Sequence, residues 1–213
     1  VLLSGFGEAA TKGEGAGVSY DTAQEVWTAR YQHETIALAF ALTEEAIEDN
    51  LYDKLSTRYT KALARSMSHT KNVKGAAVFN NAFNSAYAGG DAVELCGSHS
   101  LLNGTSVSNE PSTAADLNET SLENAVIDIS KYTDERGLKI AIQPSKLCIP
   151  TDLQFVAERV LNSTGRVATA DNDLNALSST SAIPGGYGVN HFLTDPDAWF
   201  LKTDAPNGLK HMK

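Results

Sequence analysis

The sequence is short of cysteine, of positive charge and of long apolar runs, and each shortage removes a class of function. Two cysteines, Cys96 and Cys148, in 213 residues are too few for the disulfide framework that staples small secreted domains, so a reducing compartment is expected. No apolar run approaches the ~20 residues that cross a bilayer. The opening Val1-Leu2-Leu3-Ser4-Gly5-Phe6-Gly7 also lacks the basic stretch and apolar core of a secretory leader. The chain therefore reads as soluble and unsecreted. Lys plus Arg number 17 against 26 Asp plus Glu, a net charge of −9. That balance argues against an external nucleic-acid groove, where phosphates demand concentrated positive charge, and leaves room for a local basic patch only. The length allows one large domain or two small ones with a sizeable core, and one intertwined unit is expected. No repeat of fixed period occurs. The ending Gly208-Leu209-Lys210-His211-Met212-Lys213 supplies no closing element, as in a fragment.

What is present is strongly uneven. Five glycines, Gly5, Gly7, Gly13, Gly15 and Gly17, fall in the first 17 residues and forbid a stable helix there, predicting a mobile loop. Residues 18–42 turn to Thr, Val, Trp, Tyr, Ile and Phe, with partial period-two alternation at Val26, Thr28, Arg30 and at Ile36, Leu38, Phe40. This predicts two strands of a long hairpin. Thr43 is placed to cap a short helix over 44–48, with Glu44 and Glu45 at the positive end of its dipole.

Residues 49–83 then read as one uninterrupted helix of roughly 50 Å, at ~1.5 Å rise per residue, two to three times the usual length for a globular domain. Tyr52, Leu55, Tyr59, Leu63 and Met67 form an apolar stripe expected to face a sheet. Lys54, Arg58, Lys61 and Arg65 lie on the other face, toward solvent or a neighbouring subunit. Gly75 weakens the middle by about 1 kcal/mol, and Gly89-Gly90 closes the pattern.

Residues 91–117 are rich in Ser, Asn, Gly, Thr and Pro, a long irregular stretch that compact domains seldom carry without purpose; short strands and a crossing loop are expected. A helix follows over 116–132, with Asn118 or Ser121 at its cap. Strands are predicted over 138–142 and 146–149, then a helix over 152–161 capped by Thr151 or Asp152. Strands over 187–193 and 198–202 flank the turn Thr194-Asp195-Pro196-Asp197.

Several motifs imitate chemistry. Gly5-Phe6-Gly7-Glu8-Ala9-Ala10 matches the phosphate turn of dinucleotide-binding folds. That turn must open a helix whose amides hold the pyrophosphate, and the glycine-rich 11–17 stretch cannot supply one. Asp171, Asp173 and Asn175 match the first ligands of a calcium loop, but Ala176 and Ala182 stand where its glycine and glutamate belong, so an Asx-rich turn is the better reading. Cys96 and His99 have ligand spacing without the two further partners that zinc needs; a partly buried thiol and a surface histidine are expected. Five histidines, His33, His69, His99, His191 and His211, accompany no nucleophile elbow. Glu44, Glu45, Glu48 and Asp49 suit a solvated helix start better than an acid/base pair. Asn103, Asn118 and Asn162 begin glycosylation-type triplets that mean little without secretion. No catalytic, cofactor-binding or metal site is assigned, and the protein is not read as an enzyme.

The stretches TEEAIEDNLYDKLSTRYTKALARSM, NNAFNSAYAGGD, ISKYTDERGLKIAIQPSKLCIPTDLQFVAERVL and VNHFLTDPDAWFLKTDAPNGLK, in that order, resemble the major capsid protein of tailed bacteriophages. Its most specific pieces are Asp134-Glu135-Arg136-Gly137-Leu138, Ile149-Pro150-Thr151-Asp152-Leu153 and Asp197-Ala198-Trp199-Phe200-Leu201. The resemblance spans nearly the whole chain and implies an α+β fold of the type named after phage Hong Kong 97. Residues 1–43 would be an extended hairpin loop, 44–116 the long spine helix and peripheral-domain segments, and 117–213 mainly the axial domain. The family's N-terminal arm and returning peripheral strand are not matched. By resemblance the protein self-assembles through hexamers and pentamers into the icosahedral head around the phage genome. It would be built in the host cytoplasm, with scaffolding, portal and decoration proteins as further partners. Contact with packaged DNA would be nonspecific, and no membrane or cofactor is involved. Some members crosslink subunits through lysine; Lys12 lies in the loop, but no partner asparagine is matched and crosslinking is not predicted. An encapsulin-like nanocompartment shell is the alternative within the fold. A nucleotide-dependent enzyme is the alternative outside it.

Overall fold

The computed structural model of the chain describes residues 4–30, 32–49, 53–166, 173–206 and 208–209. The chain divides into two compact units, Val1–Arg30 with Asn80–Lys213, and Tyr31–Phe79.

The first unit is organised around one strand. β3 (Pro144–Ile149) alternates, with Leu147 and Ile149 fully buried and Lys146 and Cys148 turned to the other face, the period-two signature of a half-covered strand. It is central in a three-stranded sheet, parallel to β4 (Tyr187–Val189) and antiparallel to β5 (Phe200–Thr203). Leu147 lies opposite Tyr187 on one side and Leu201 on the other. The parallel pair needs a crossover, which α4 (Gln154–Asn162) and α5 (Ala176–Ser179) provide. α4 buries Ala157, Val160 and Leu161, the three-to-four spacing of a single helical face. Leu117, Leu122, Leu177 and Ile183 complete the core.

Two polar devices fix these elements. α3 (Glu119–Ser130) opens with a reciprocal capping box. Asn118 Oδ1 accepts from the Ser121 amide at 2.8 Å, and Ser121 Oγ accepts from the Asn118 amide at 3.0 Å; together they satisfy two donors that every helix start leaves orphaned. Asn175 is wholly buried. Its Oδ1 caps α5 through the Leu177 and Ser178 amides, while its Nδ2 donates to the Val160 carbonyl at 2.7 Å and to Ser163 Oγ at 3.0 Å. One side chain thus joins the end of α4 to the start of α5. At the entry to β4, a Cβ on Gly185 would stand 2.5 Å from the Ser145 carbonyl oxygen, so only glycine admits that approach.

The 91–117 stretch carries the expected short strands, β1 (Ser98–Ser100) paired antiparallel with β2 (Ser106–Ser108). Four expectations need correction. Residues 138–142 form no strand and make only an isolated bridge between Thr133 and Lys139, because β4 and β5 already occupy both edges of β3. α4 begins at Gln154 after a turn closed by Thr151, and neither Thr151 nor Asp152 caps it through a side chain. The long helix stops at Asn80, before Gly89-Gly90. There Asn80 itself bonds the backbone of Phe192 and Thr194, and the Ala82 carbonyl takes the Cys96 amide, so tertiary contacts draw the chain off the helix axis. Finally, the described residues of 18–42 contain no strand. An isolated hairpin is marginal without a third strand or a covering helix, and the partial alternation in this stretch is not enough to form one.

The second unit consists of α1 (Glu44–Glu48), α2 (Asp53–Asn80, all but its last residue) and the segment before them. Thr43 holds the cap position of α1 without a side-chain bond. Residues 50–52 and the side chains of 53–55, among them Tyr52 and Leu55 of the apolar stripe, lie outside the described residues. The 28 residues of α2 make a rod of about 42 Å. Among its described side chains only Ala76 is buried. Its cover is an extended strap. Glu34 pairs with Lys74, and the Phe40 ring meets Tyr59 edge-on with centroids 5.8 Å apart. Six residues of extended chain cover ~20 Å, and the fifteen helical residues between Tyr59 and Lys74 rise ~22 Å, so the strap runs antiparallel along the helix.

Candidate assembly surfaces

The groups that the sequence offers for catalysis or metal binding are either held in structural bonds or stand apart on the surface. The Gly5 and Gly7 amides, which a phosphate would need, donate to Glu135 Oε1 at 2.8 Å and Asp21 Oδ2 at 2.7 Å. Asn175 is the buried double cap described above, and Asp173 lies apart from it, exposed, while Asp171 falls outside the described residues. Cys96 is half-buried, and burial together with the charge of Glu110 pushes its thiol up to about 11; burial likewise raises Cys148 against the opposing pull of Lys146. Neither is a ready thiolate nucleophile. His99 is not a free surface histidine but is half-buried in β1 with its Nδ1 on Asp91 Oδ2. Burial works against the Asp91 carboxylate, yet the His99 bond and the Val93 amide outweigh it and hold its pKa below the ordinary value. The pair pins the β1 hairpin to the 89–93 turn. Glu44, Glu45, Glu48 and Asp49 are exposed at α1, and Asn103 and Asn118 serve a turn and a cap.

What the molecule presents instead is exposed apolar surface. In the second unit Leu38, Phe40, Ile47, Tyr59, Val73 and Val78 are all more than a third exposed. Among the described residues of this unit only Ala76 is buried, so little apolar surface is enclosed within it. In the first unit Phe155 on α4 is 73% exposed and Leu174 68%, both well outside the core that the same segment builds.

The opening loop is held by a different chemistry. Ser4 and Gln24 close its base, the Ser4 amide on the Gln24 carbonyl and the Gln24 amide on Ser4 Oγ, each at 2.8 Å. The 134–137 turn clamps its two limbs. Arg136 Nη2 reaches both Asp21 oxygens at 2.8 Å, the Asp21 carboxylate also takes the Gly7 and Thr22 amides, and Glu135 takes the Gly5 amide. The Gly7 amide, then Arg136, then the Thr22 amide bring the Asp21 pKa down to about 2. Beyond the clamp Val18 and Tyr20 stand out, Tyr20 at 96% exposure.

The sequence marked residues 134–138 as a specific stretch and showed the basic helix face, but not the Asp21–Arg136 clamp, whose partners are 115 residues apart with no local signal to join them. Asn175 had one: an Asn directly before a short helical run is a cap signature.

A family model described as phage capsid protein matches residues 25–212. No curated protein and no solved structure matches the chain.

Proposed function

The chain belongs to the phage capsid protein family, and from that premise we propose that it is the major capsid protein of a tailed-phage head, assembling with copies of itself through hexamers and pentamers into an icosahedral shell. Family membership makes it a structural, non-enzymatic component of the virion capsid, and its mixed helices and sheets suit that family. The finer reading is a Hong Kong 97-type subunit: residues 1–43 the extended loop, 44–116 the spine helix with peripheral segments, 117–213 mainly the axial domain. Scaffolding, portal and decoration proteins would act on the same shell, built in the host cytoplasm, and packaged DNA would meet its inner surface without sequence preference.

The observation that carries this reading is α2, 28 residues long with one buried side chain among those described. A monomeric protein gains nothing from so long a rod that buries so little. A shell subunit does, because each neighbour buries part of it and the contact is repeated around a closed symmetry. The test is negative-stain electron microscopy of the purified chain, alone and with any flanking sequence of its gene product, beside size-exclusion chromatography with light scattering. Closed shells or ring-like capsomers are expected. Shells enclosing a protein cargo and no nucleic acid would shift the reading to an encapsulin-like compartment, and a strictly monomeric product would overturn it.

A further inference from the structure

The helix that lacks a core also breaks the chain's charge balance. α2 carries six of the 17 cations, Lys54, Arg58, Lys61, Arg65, Lys71 and Lys74, and one of the 26 acids, Asp53. A surplus of five positive charges thus sits on one element of a chain whose net charge is −9. These charges are also sorted by face. At ~100° per residue, Arg58, Lys61 and Arg65 fall within an arc of about 60°. Tyr59, Leu63, Met67, Thr70, Lys74 and Ala77 fall in the arc directly opposite. That opposite arc is the one the strap covers, through Glu34 on Lys74 and Phe40 on Tyr59, and Leu63, Met67, Thr70 and Ala77 are half-buried there.

The basic arc is exposed along residues 57–69. Among the described residues Arg58, Lys61 and Arg65 pair with no carboxylate. Between them lie only small or polar groups such as Ser68 and Asn72, with none of the aromatic or aliphatic anchors that form the desolvated centre of a protein interface. A surface of this kind recognises charge and regular spacing alone. From Arg58 to Arg65 the stripe runs about 10 Å along the helix, and duplex nucleic acid offers one phosphate charge per ~1.7 Å of axis.

We propose that this arc of α2 is the surface by which the subunit holds the phosphate backbone of double-stranded nucleic acid, independently of sequence. The inference deepens the capsid reading and rests on it for its biological setting, but its test does not share that reading's readout. The triple variant R58Q/K61Q/R65Q and the off-stripe control K131Q/K139Q/K202Q remove equal charge. Each is titrated, before assembly, with a labelled mixed-sequence DNA duplex by fluorescence anisotropy over a range of salt, and helix content is checked by circular dichroism. The parent's affinity should fall linearly with salt on logarithmic axes. The triple variant should bind at least about tenfold more weakly at low salt and lose about 2.7 from the slope, 0.9 per phosphate contact. The control, and the charge-preserving R58K/R65K, should keep the parent slope.

No duplex binding by the parent, or an unchanged slope in the triple variant, overturns the proposal. So does equally tight, stripe-dependent binding of polyglutamate, which would make the partner an acidic polypeptide. Loss of shell formation in the triple variant with duplex binding intact would assign the arc to a contact between copies and overturn it too. Failure of every variant, parent included, to form shells refutes the assembly reading alone, since the duplex titration still decides the arc.

Discussion

The body around β3 and the helix α2 solve the same problem in opposite ways. In the body, Leu122, Leu147, Ile149 and Ala157 are fully buried within one continuous cluster, and even its buried asparagine has every bond satisfied within the unit. In α2, 28 residues bury one described side chain, Ala76, and leave Val73 and Val78 exposed. The first region is stabilised by what it encloses. The second encloses little of its own, and on the reading proposed above it is completed by neighbouring subunits. Substitutions of the same size should therefore behave differently in the two.

The sharpest contrast is Leu147→Ala against Leu63→Ala. Leu147 is wholly buried between β4 and β5, so truncation should cost about 3 kcal/mol or more of unfolding free energy in the unassembled subunit. Leu63 is half-buried on α2 and should cost less than about 1 kcal/mol there, with its larger effect appearing in assembly yield. Urea denaturation of unassembled subunits, followed by light scattering of assembly mixtures, measures both. Equal costs in the free subunit would end the distinction. Next in size is Asn175→Ala, which strips the caps of Leu177 and Ser178 and leaves the Val160 carbonyl without its partner. A loss of about 2 kcal/mol follows from the buried polar groups left unsatisfied, read by the same denaturation.

The contrast was partly legible before any coordinates. α1 falls on the residues predicted, α2 and α3 lie within the predicted spans, and β3 and β5 each lie within two residues of theirs, because capping residues and apolar periodicity are local signals. The Asn118–Ser121 box was readable for the same reason. The strap was misread as a hairpin. Alternation at Ile36, Leu38 and Phe40 records that one side of an extended segment is covered, not whether a strand or a helix covers it. The clamp at Asp21 and Arg136 was invisible because both are ordinary surface residues until the fold brings them together.

A gain of stability can be placed as deliberately as a loss. Gly75 lies inside α2, and a Cβ built there meets nothing within 4 Å. Gly75→Ala should therefore add about 1 kcal/mol of local helix stability. Slower amide exchange along the C-terminal turns of α2 would register it, with little change in the unfolding of the body. If the whole subunit gained equally, α2 would be folding cooperatively with the body rather than as an element of its own stability.

The smallest effect expected lies in the opening loop, which shares a unit with the body yet is held as α2 is, without a core. Its clamp is made of exposed polar contacts, and Asp21 is solvent-accessible, so salt screening keeps its contribution small. The sign is fixed by the carboxylate. The Asp21 pKa is held at about 2, below its ordinary 3.8, so the clamp's contribution is complete above the unfolded value and is lost as pH falls through about 2. Acidification from pH 5 toward 2 should release residues 5–24 for hydrogen exchange before the β3 sheet opens, and Asp21→Asn should release them at neutral pH with the sheet unchanged. Arg136→Lys should fall between the parent and Asp21→Asn, because the shorter lysine keeps the charge but does not place it where Arg136 Nη2 meets both oxygens. Simultaneous opening of loop and sheet in Asp21→Asn would mean that the loop is part of the body's cooperative unit, and the line between enclosed and externally completed structure would then run at residue 31 rather than through the first unit.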